Sequence, residues 1–197
     1  MLVGFIGAPL SGKTTIATSV FSHFKRLGLA TELVVEQARQ YIAEKKVANL
    51  KKIVTLDDTD QDRIFTRQQT MERTMKKACD PLTIIISDSS LLNTLMYLSA
   101  NLRESLEEVM FEEIVSGYDL LLYCTPVEEL GHVQVDSNRI HSLKEIAILQ
   151  VQSDRLLNKV KISEATTIRE LVGDLDLRIK DASTYVLEKR HQMVVRS

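Results

Sequence analysis

Short apolar runs alternate with longer stretches of helical period along most of the chain. Leu2-Val3-Gly4-Phe5-Ile6 lacks polar positions and stops at Gly7, the pattern of a strand buried on both faces. From Gly12 to about Leu27 the period lengthens, putting Ile16, Val20, Phe24 and Leu27 on one helical face, and Gly28 closes the helix. Leu33-Val34-Val35 predicts a second strand, followed by a helix through Ala38, Tyr41 and Ile42. Asp57 to Ala78 is polar and helix-prone, ending before Pro81, and Leu82-Thr83-Ile84-Ile85-Ile86 is the strongest strand signal. Helices are expected from about Leu91 to Ala100 and from Arg103 to Val115, then a fourth strand over Asp119 to Cys124, closed by Pro126. A polar stretch, Val127 to Asn138, leads into a long helix ending near Lys159. A weaker strand, Thr166 to Val172, and a terminal helix from about Asp176 complete the chain. Apolar strands separated by helices predict an α/β layer fold, a parallel sheet covered on both faces, with a strand order the sequence does not reveal.

One loop carries chemistry. Gly7-Ala8-Pro9-Leu10-Ser11-Gly12-Lys13-Thr14 fits in full the pattern of a glycine, four residues, then Gly-Lys and Ser or Thr, with a strand before it and a helix after it. Glycines let the backbone fold round an anion without Cβ interference, so several N–H groups converge on phosphate oxygens. The helix starting near Gly12 aims its positive end at the same place. Lys13 supplies a mobile charge for the β- and γ-phosphates, and the Thr14 hydroxyl is suited to Mg²⁺. The run from Gly7 through Thr15 is therefore assigned to ATP–Mg²⁺.

Phosphoryl transfer also needs carboxylates beside the metal and the acceptor. Asp88 follows Ile84-Ile85-Ile86-Ser87, at the carboxyl end of the third strand, where open α/β sheets bind ligands. It either holds Mg²⁺ with Thr14 or accepts the acceptor's proton, and as an N-cap it would serve the next helix as well. Glu36 ends the second strand in a similar place, with Arg39 one turn on, a pair suited to sugar hydroxyls and phosphate. Asp136-Ser137-Asn138-Arg139 falls in a lid segment of about 127–140, where Arg139 would neutralise charge on the transferred group while the lid keeps water out.

The whole composition narrows the choice of partner. At 197 residues, 44% hydrophobic and 26% charged, the chain is expected to be one soluble domain, 1–197. A net charge of −2 gives no overall basic field, so nucleic acid is not favoured as a partner. The one basic run is Lys45, Lys46, Lys51 and Lys52, around Asn49. Cys79 and Cys124 lack metal spacing and are expected to be reduced thiols. Nothing approaches the roughly 20 apolar residues of a membrane span, so a cytoplasmic protein is expected.

Together these pieces resemble the NadR-like branch of P-loop kinases among AAA-type ATPases, which includes nicotinamide riboside kinases and phage-borne members. The resemblance rests on GAPLSGKTT, on Glu36-Gln37-Ala38-Arg39-Gln40-Tyr41, and on Asp88-Ser89-Ser90-Leu91-Leu92-Asn93-Thr94. It also rests on Tyr118-Asp119-Leu120-Leu121-Leu122, Asp136 to Arg139, and the turn from Gly173 to Arg178. It implies a three-layer nucleoside-kinase-like fold with a 2-3-1-4-5 parallel sheet, ATP as donor and a nucleoside-type small-molecule acceptor. Ser137 stands where the family usually has glycine, and Lys144 or Arg155 is left to serve as a second lid cation. Three functions follow. The first is a kinase on a free nucleoside or nucleotide. The second is a kinase on a hydroxymethylated base in DNA, which must leave the stack to react. The third is a nucleotide-dependent ATPase or switch, which Ser87-Asp88 fits less well than the Asp-Glu pair common in hydrolytic motors.

Overall fold

Each of the five apolar runs forms a strand. The computed structural model describes residues 1–49, 54–126 and 143–196. Its elements, in chain order, are β1 (Leu2–Ile6), α1 (Lys13–Arg26), β2 (Thr31–Val34), α2 (Gln37–Asn49), α3 (Asp58–Ala78), β3 (Ile84–Ser87), α4 (Leu91–Leu95), α5 (Ala100–Ser116), β4 (Leu120–Cys124), α6 (Leu143–Ser163), β5 (Thr167–Leu171) and α7 (Leu175–Arg196). The strands pair in the order β2-β3-β1-β4-β5, all parallel, as the resemblance implies.

Alternation along β1 sends its side chains into two cores. Leu2 and Ile6, with Ile85, Leu121 and Tyr123, pack against α3, α4, α5 and α6. Val3 and Phe5, with Ile84, Ile86, Leu120 and Leu122, pack against α1 and α7. Three layers result, each face of the sheet burying apolar surface. Among the described residues no helix is long and apolar enough to cross a membrane.

Boundaries differ from the sequence pattern where polarity misleads. β2 begins at Thr31, because an edge strand carries polar residues such as Glu32 that mask it. Leu82 lies before β3 and is 37% exposed. The helix expected over Leu91 to Ala100 ends at Leu95, and α5 starts at Ala100 after Ser99 as N-cap. α6 runs on to Ser163.

This strand order fixes where a ligand can sit. The chain leaves β1 toward β2 on one side and leaves β3 toward β4 on the other, opening a crevice between the carboxyl ends of β1 and β3. Gly4, in the middle of β1, gives room below the sheet: a Cβ there would lie 2.7 Å from Cε1 of Tyr118. Gly4→Ala should therefore push the Tyr118 ring out of place and lower stability by about 1–3 kcal/mol, the usual cost of overpacking, measured by urea denaturation.

Candidate active site

The loop from Gly7 to Gly12 turns at residues that tolerate unusual backbone. Gly7 and Gly12 have φ of 153° and 84°. A Cβ on Gly7 would come within 2.6 Å of Ser11 Oγ and 2.7 Å of the Cys124 carbonyl, so the loop is threaded too tightly for any side chain there. Leu10, at φ 71°, holds a conformation that costs a non-glycine residue about 1 kcal/mol, strain of the kind stored at binding loops. α1 then begins at Lys13 with no side-chain cap and no acid in its first turn, which leaves its leading amides as donors. Lys13 Nζ donates to the carbonyls of Gly7 and Ala8 at 2.7 and 2.8 Å. Burial lowers the Lys13 pKa, and Glu36, Cys124 and Asp88 oppose that shift.

Asp88 stands beyond β3, 4% exposed, its N–H bonded to the Val34 carbonyl at 3.0 Å. Burial, reinforced by the charge of Glu36, raises its carboxyl pKa to about 6, against a hydrogen bond from Thr14 and the charges of Lys13 and Arg39. Among the described residues its Oδ1 has no hydrogen-bond partner. Arg39 bridges the two sides of the crevice: Nε donates to Glu36 Oε2 at 3.0 Å and Nη2 to Thr14 Oγ1 at 3.1 Å. Lys13, Thr14, Glu36, Arg39 and Asp88, five residues named from the sequence, thus meet at one place. Arg139 and the rest of the lid segment lie outside the described residues, as do Lys51 and Lys52. Arg155 is engaged by the buried carboxylate of Glu107, at 3.2 and 2.9 Å, which Lys159 also binds. That pairing ties α6 to α5, and Lys144 is exposed at the start of α6.

Three residues at the site escape sequence reasoning. Asn93 Oδ1 accepts the Gly7 N–H at 3.1 Å, while its Nδ2 donates to the Phe5 carbonyl and to Ser89 Oγ. Arg178, 3% exposed, donates to the carbonyls of Gly173, Ser11, Thr125 and Pro126, lashing the phosphate loop to the exit of β4. Both sit inside segments quoted for the family resemblance, but nothing in their spacing announces these bonds. Gln61, on α3 and 8% exposed, lines a narrow cleft with Glu36, Ile64, Thr94 and Tyr97. The cleft volume is about 20 Å³, room for one water. Gln61 reads in the sequence as one more polar helix position.

The donor set suits Mg²⁺. Among the described residues no group of three or more acids, histidines or cysteines forms a metal cage. Mg²⁺ does not need one, since it binds through one or two carboxylates with waters and substrate phosphates. The unpartnered, buried Oδ1 of Asp88 beside the Thr14 hydroxyl offers such a partial shell.

Residues 2–168 match the model of a family described as an AAA domain, AAA_28. No curated protein matches the sequence significantly. Among solved structures the fold is similar to that of NadR protein in complex with NAD and AMP-PNP, with a TM-score of 0.66 and 19% identity over 96% of this chain and 49% of that one. The chain thus spans about half the length of that relative. It is also similar to deoxyadenosine kinase from M. mycoides with bound dATP, with a TM-score of 0.60 and 14% identity over 94% of this chain and 98% of that one. The same enzyme with products dCMP and dCDP gives a TM-score of 0.55 at 15% identity, over 98% and 100% of the two chains.

A carboxyl whose pKa is higher folded than unfolded binds more protons in the native state, so it costs stability as pH rises. For Asp88 that window runs from the ordinary 3.8 to about 6. Asp88→Asn should make the nucleotide-free protein more stable at pH 7, by about 2–3 kcal/mol, with the gain fading toward pH 4. Denaturation curves across that range would show it, and an equal effect at both ends would contradict the assignment.

Proposed function

The chain belongs to the AAA domain family, and on that premise we propose that it is an ATP-dependent phosphotransferase moving the γ-phosphoryl group of ATP–Mg²⁺ to a nucleoside- or nucleotide-type acceptor. The observation that carries this reading is Asp88, buried with one oxygen unpartnered among the described residues, meeting Lys13, Thr14, Glu36 and Arg39 at the mouth of the crevice. The AMP-PNP and dATP bound in the similar structures support a nucleotide site on this fold.

In this reading the amides of the loop from Gly7 to Thr15 and the α1 terminus hold the triphosphate, and Lys13 follows charge onto the β- and γ-oxygens. Thr14 and Asp88 would hold Mg²⁺, which when bound would supply charge neutralisation to the phosphates. The Thr14 hydroxyl beside Asp88 favours the metal role for Asp88, which leaves Glu36, in the cleft wall, to orient the acceptor's hydroxyl. Arg39, reaching both Glu36 and Thr14, sets the distance between acceptor and donor. The Gln61 amide, with one donor and one acceptor edge, is placed to read a polar group of the acceptor. Arg139 completes the charge from the lid segment. The cleft must widen to admit a nucleoside, since one-water space holds no ring.

ADP release from ATP–Mg²⁺, measured with nicotinamide riboside, common nucleosides, monophosphates and hydroxymethylpyrimidine DNA, tests the reading. One acceptor class should stimulate it, and Lys13→Ala should reduce the stimulated rate at least 100-fold, as loss of a transition-state charge partner does. Stimulation by the DNA alone would move the acceptor into a polymer. Lys13-dependent ADP release indifferent to every acceptor would replace the kinase with an ATPase or switch.

A further inference from the structure

Below the sheet, on the face away from α1, lies an acidic group the mechanism above does not use. Glu72 sits on α3, in a polar helix whose sequence pattern gives no sign of burial, yet it is 3% exposed. Its Oε1 accepts from Ser87 Oγ at 2.6 Å and Gln68 Nε2 at 3.1 Å, and its Oε2 from the Tyr118 hydroxyl at 2.7 Å. Burial raises its pKa, and these three donors work against that shift.

Each donor leads to a segment that frames the crevice. Ser87 immediately precedes Asp88, and its Oγ also lies 3.1 Å from the Ser89 carbonyl, on the other side of Asp88. The Tyr118 hydroxyl accepts the Leu91 N–H at 2.8 Å, at the start of the helix that carries Asn93. Gln68 Oε1 accepts the Gln37 N–H at 3.1 Å, one residue after Glu36. A buried carboxylate contributes little to stability compared with an apolar residue of the same volume, so its partners are the better guide to its purpose. Within two bonds this one reaches the backbone beside both acids of the site.

We propose that Glu72 is a positioning residue: its carboxylate fixes the backbone on which Asp88 and Glu36 stand, and so sets Asp88 to receive Mg²⁺. The proposal rests on the metal role given to Asp88. A network that only held the fold together would weaken nucleotide binding with and without the metal alike. A network that aims Asp88 acts on the metal-dependent part.

The test is calorimetric titration of AMP-PNP into the full chain in Mg²⁺ and in EDTA, for wild type, Glu72→Gln, Ser87→Ala and Asp88→Asn. Ser87→Ala leaves the Glu72 carboxyl group in place and cuts its link to β3, which guards against a Glu72 variant that fails to fold. Glu72→Gln and Ser87→Ala should each lose about 10-fold of the Mg²⁺-dependent tightening, the usual loss for an outer-shell partner of a metal ligand, with EDTA affinities within about twofold of wild type. Full retention of the tightening by both variants would overturn the proposal, and so would an equal loss in Mg²⁺ and EDTA. Asp88→Asn must lose the tightening too. Should it keep it, the metal reading of Asp88 fails first, and the role of Glu72 falls with it.

Discussion

Gly7 leaves β1 with its N–H on Asn93 Oδ1, while the same carboxamide donates to the Phe5 carbonyl and to Ser89 Oγ. These bonds join the end of β1, the start of the phosphate loop and the residue after Asp88. β1 and β3 are neighbours in the sheet, but their register ends at Gly4 and Ser87, short of the chemistry. Beyond that point the backbone needs new partners, because buried N–H and C=O groups are costly when unpaired. Asn93 supplies them, and Ser90 adds a second tie by donating its N–H to Phe5. The phosphate loop and the acidic end of β3 are thus held as one unit.

Charge at this unit is arranged with little regard for stability. Lys13 and Asp88 are both pushed toward their neutral forms by burial, and each is only partly compensated by the other. Arg178 is buried with its donors spent on four carbonyls and no carboxylate bound among the described residues. A carbonyl satisfies the geometry of a guanidinium but not its charge. The positive side of the crevice is therefore favourable to an anion before any ligand contact is counted, as a phosphate site requires.

Helix α3 does two jobs at once. At its start, Asp57 and Asp60 form a capping box, and Asp60 also binds Tyr41 and Lys45 of α2; against the upward push of burial, Lys45, Tyr41 and the Asp57 amide hold its carboxyl pKa down to about 2. Further along, Gln61 faces the cleft, Gln68 reaches α2 and β3, and Glu72 reaches β3 and Tyr118. Asp60, Gln61, Gln68 and Glu72, polar residues that make the helix look like a surface element, are buried against its neighbours.

The sequence by itself determined the five strands, the phosphate loop and the placement of Asp88 and Glu36 at strand ends. Those signals are local: an apolar run, a glycine that must turn, a lysine and threonine at fixed spacing in one loop. Asn93, Gln61, Glu72 and Arg178 could not be found that way. A buried polar residue differs from an exposed one only in its partners, and theirs lie 86, 46 and 167 residues away for Asn93–Gly7, Glu72–Tyr118 and Arg178–Ser11. The early end of α4 and the true start of β2 were hidden for a related reason, since packing and edge position, rather than period, decide them. The order that sets β1 beside β3 is absent from the local pattern and came only with the family resemblance; tertiary pairing realises it, and so turns separate acids, amides and a loop into a single crevice.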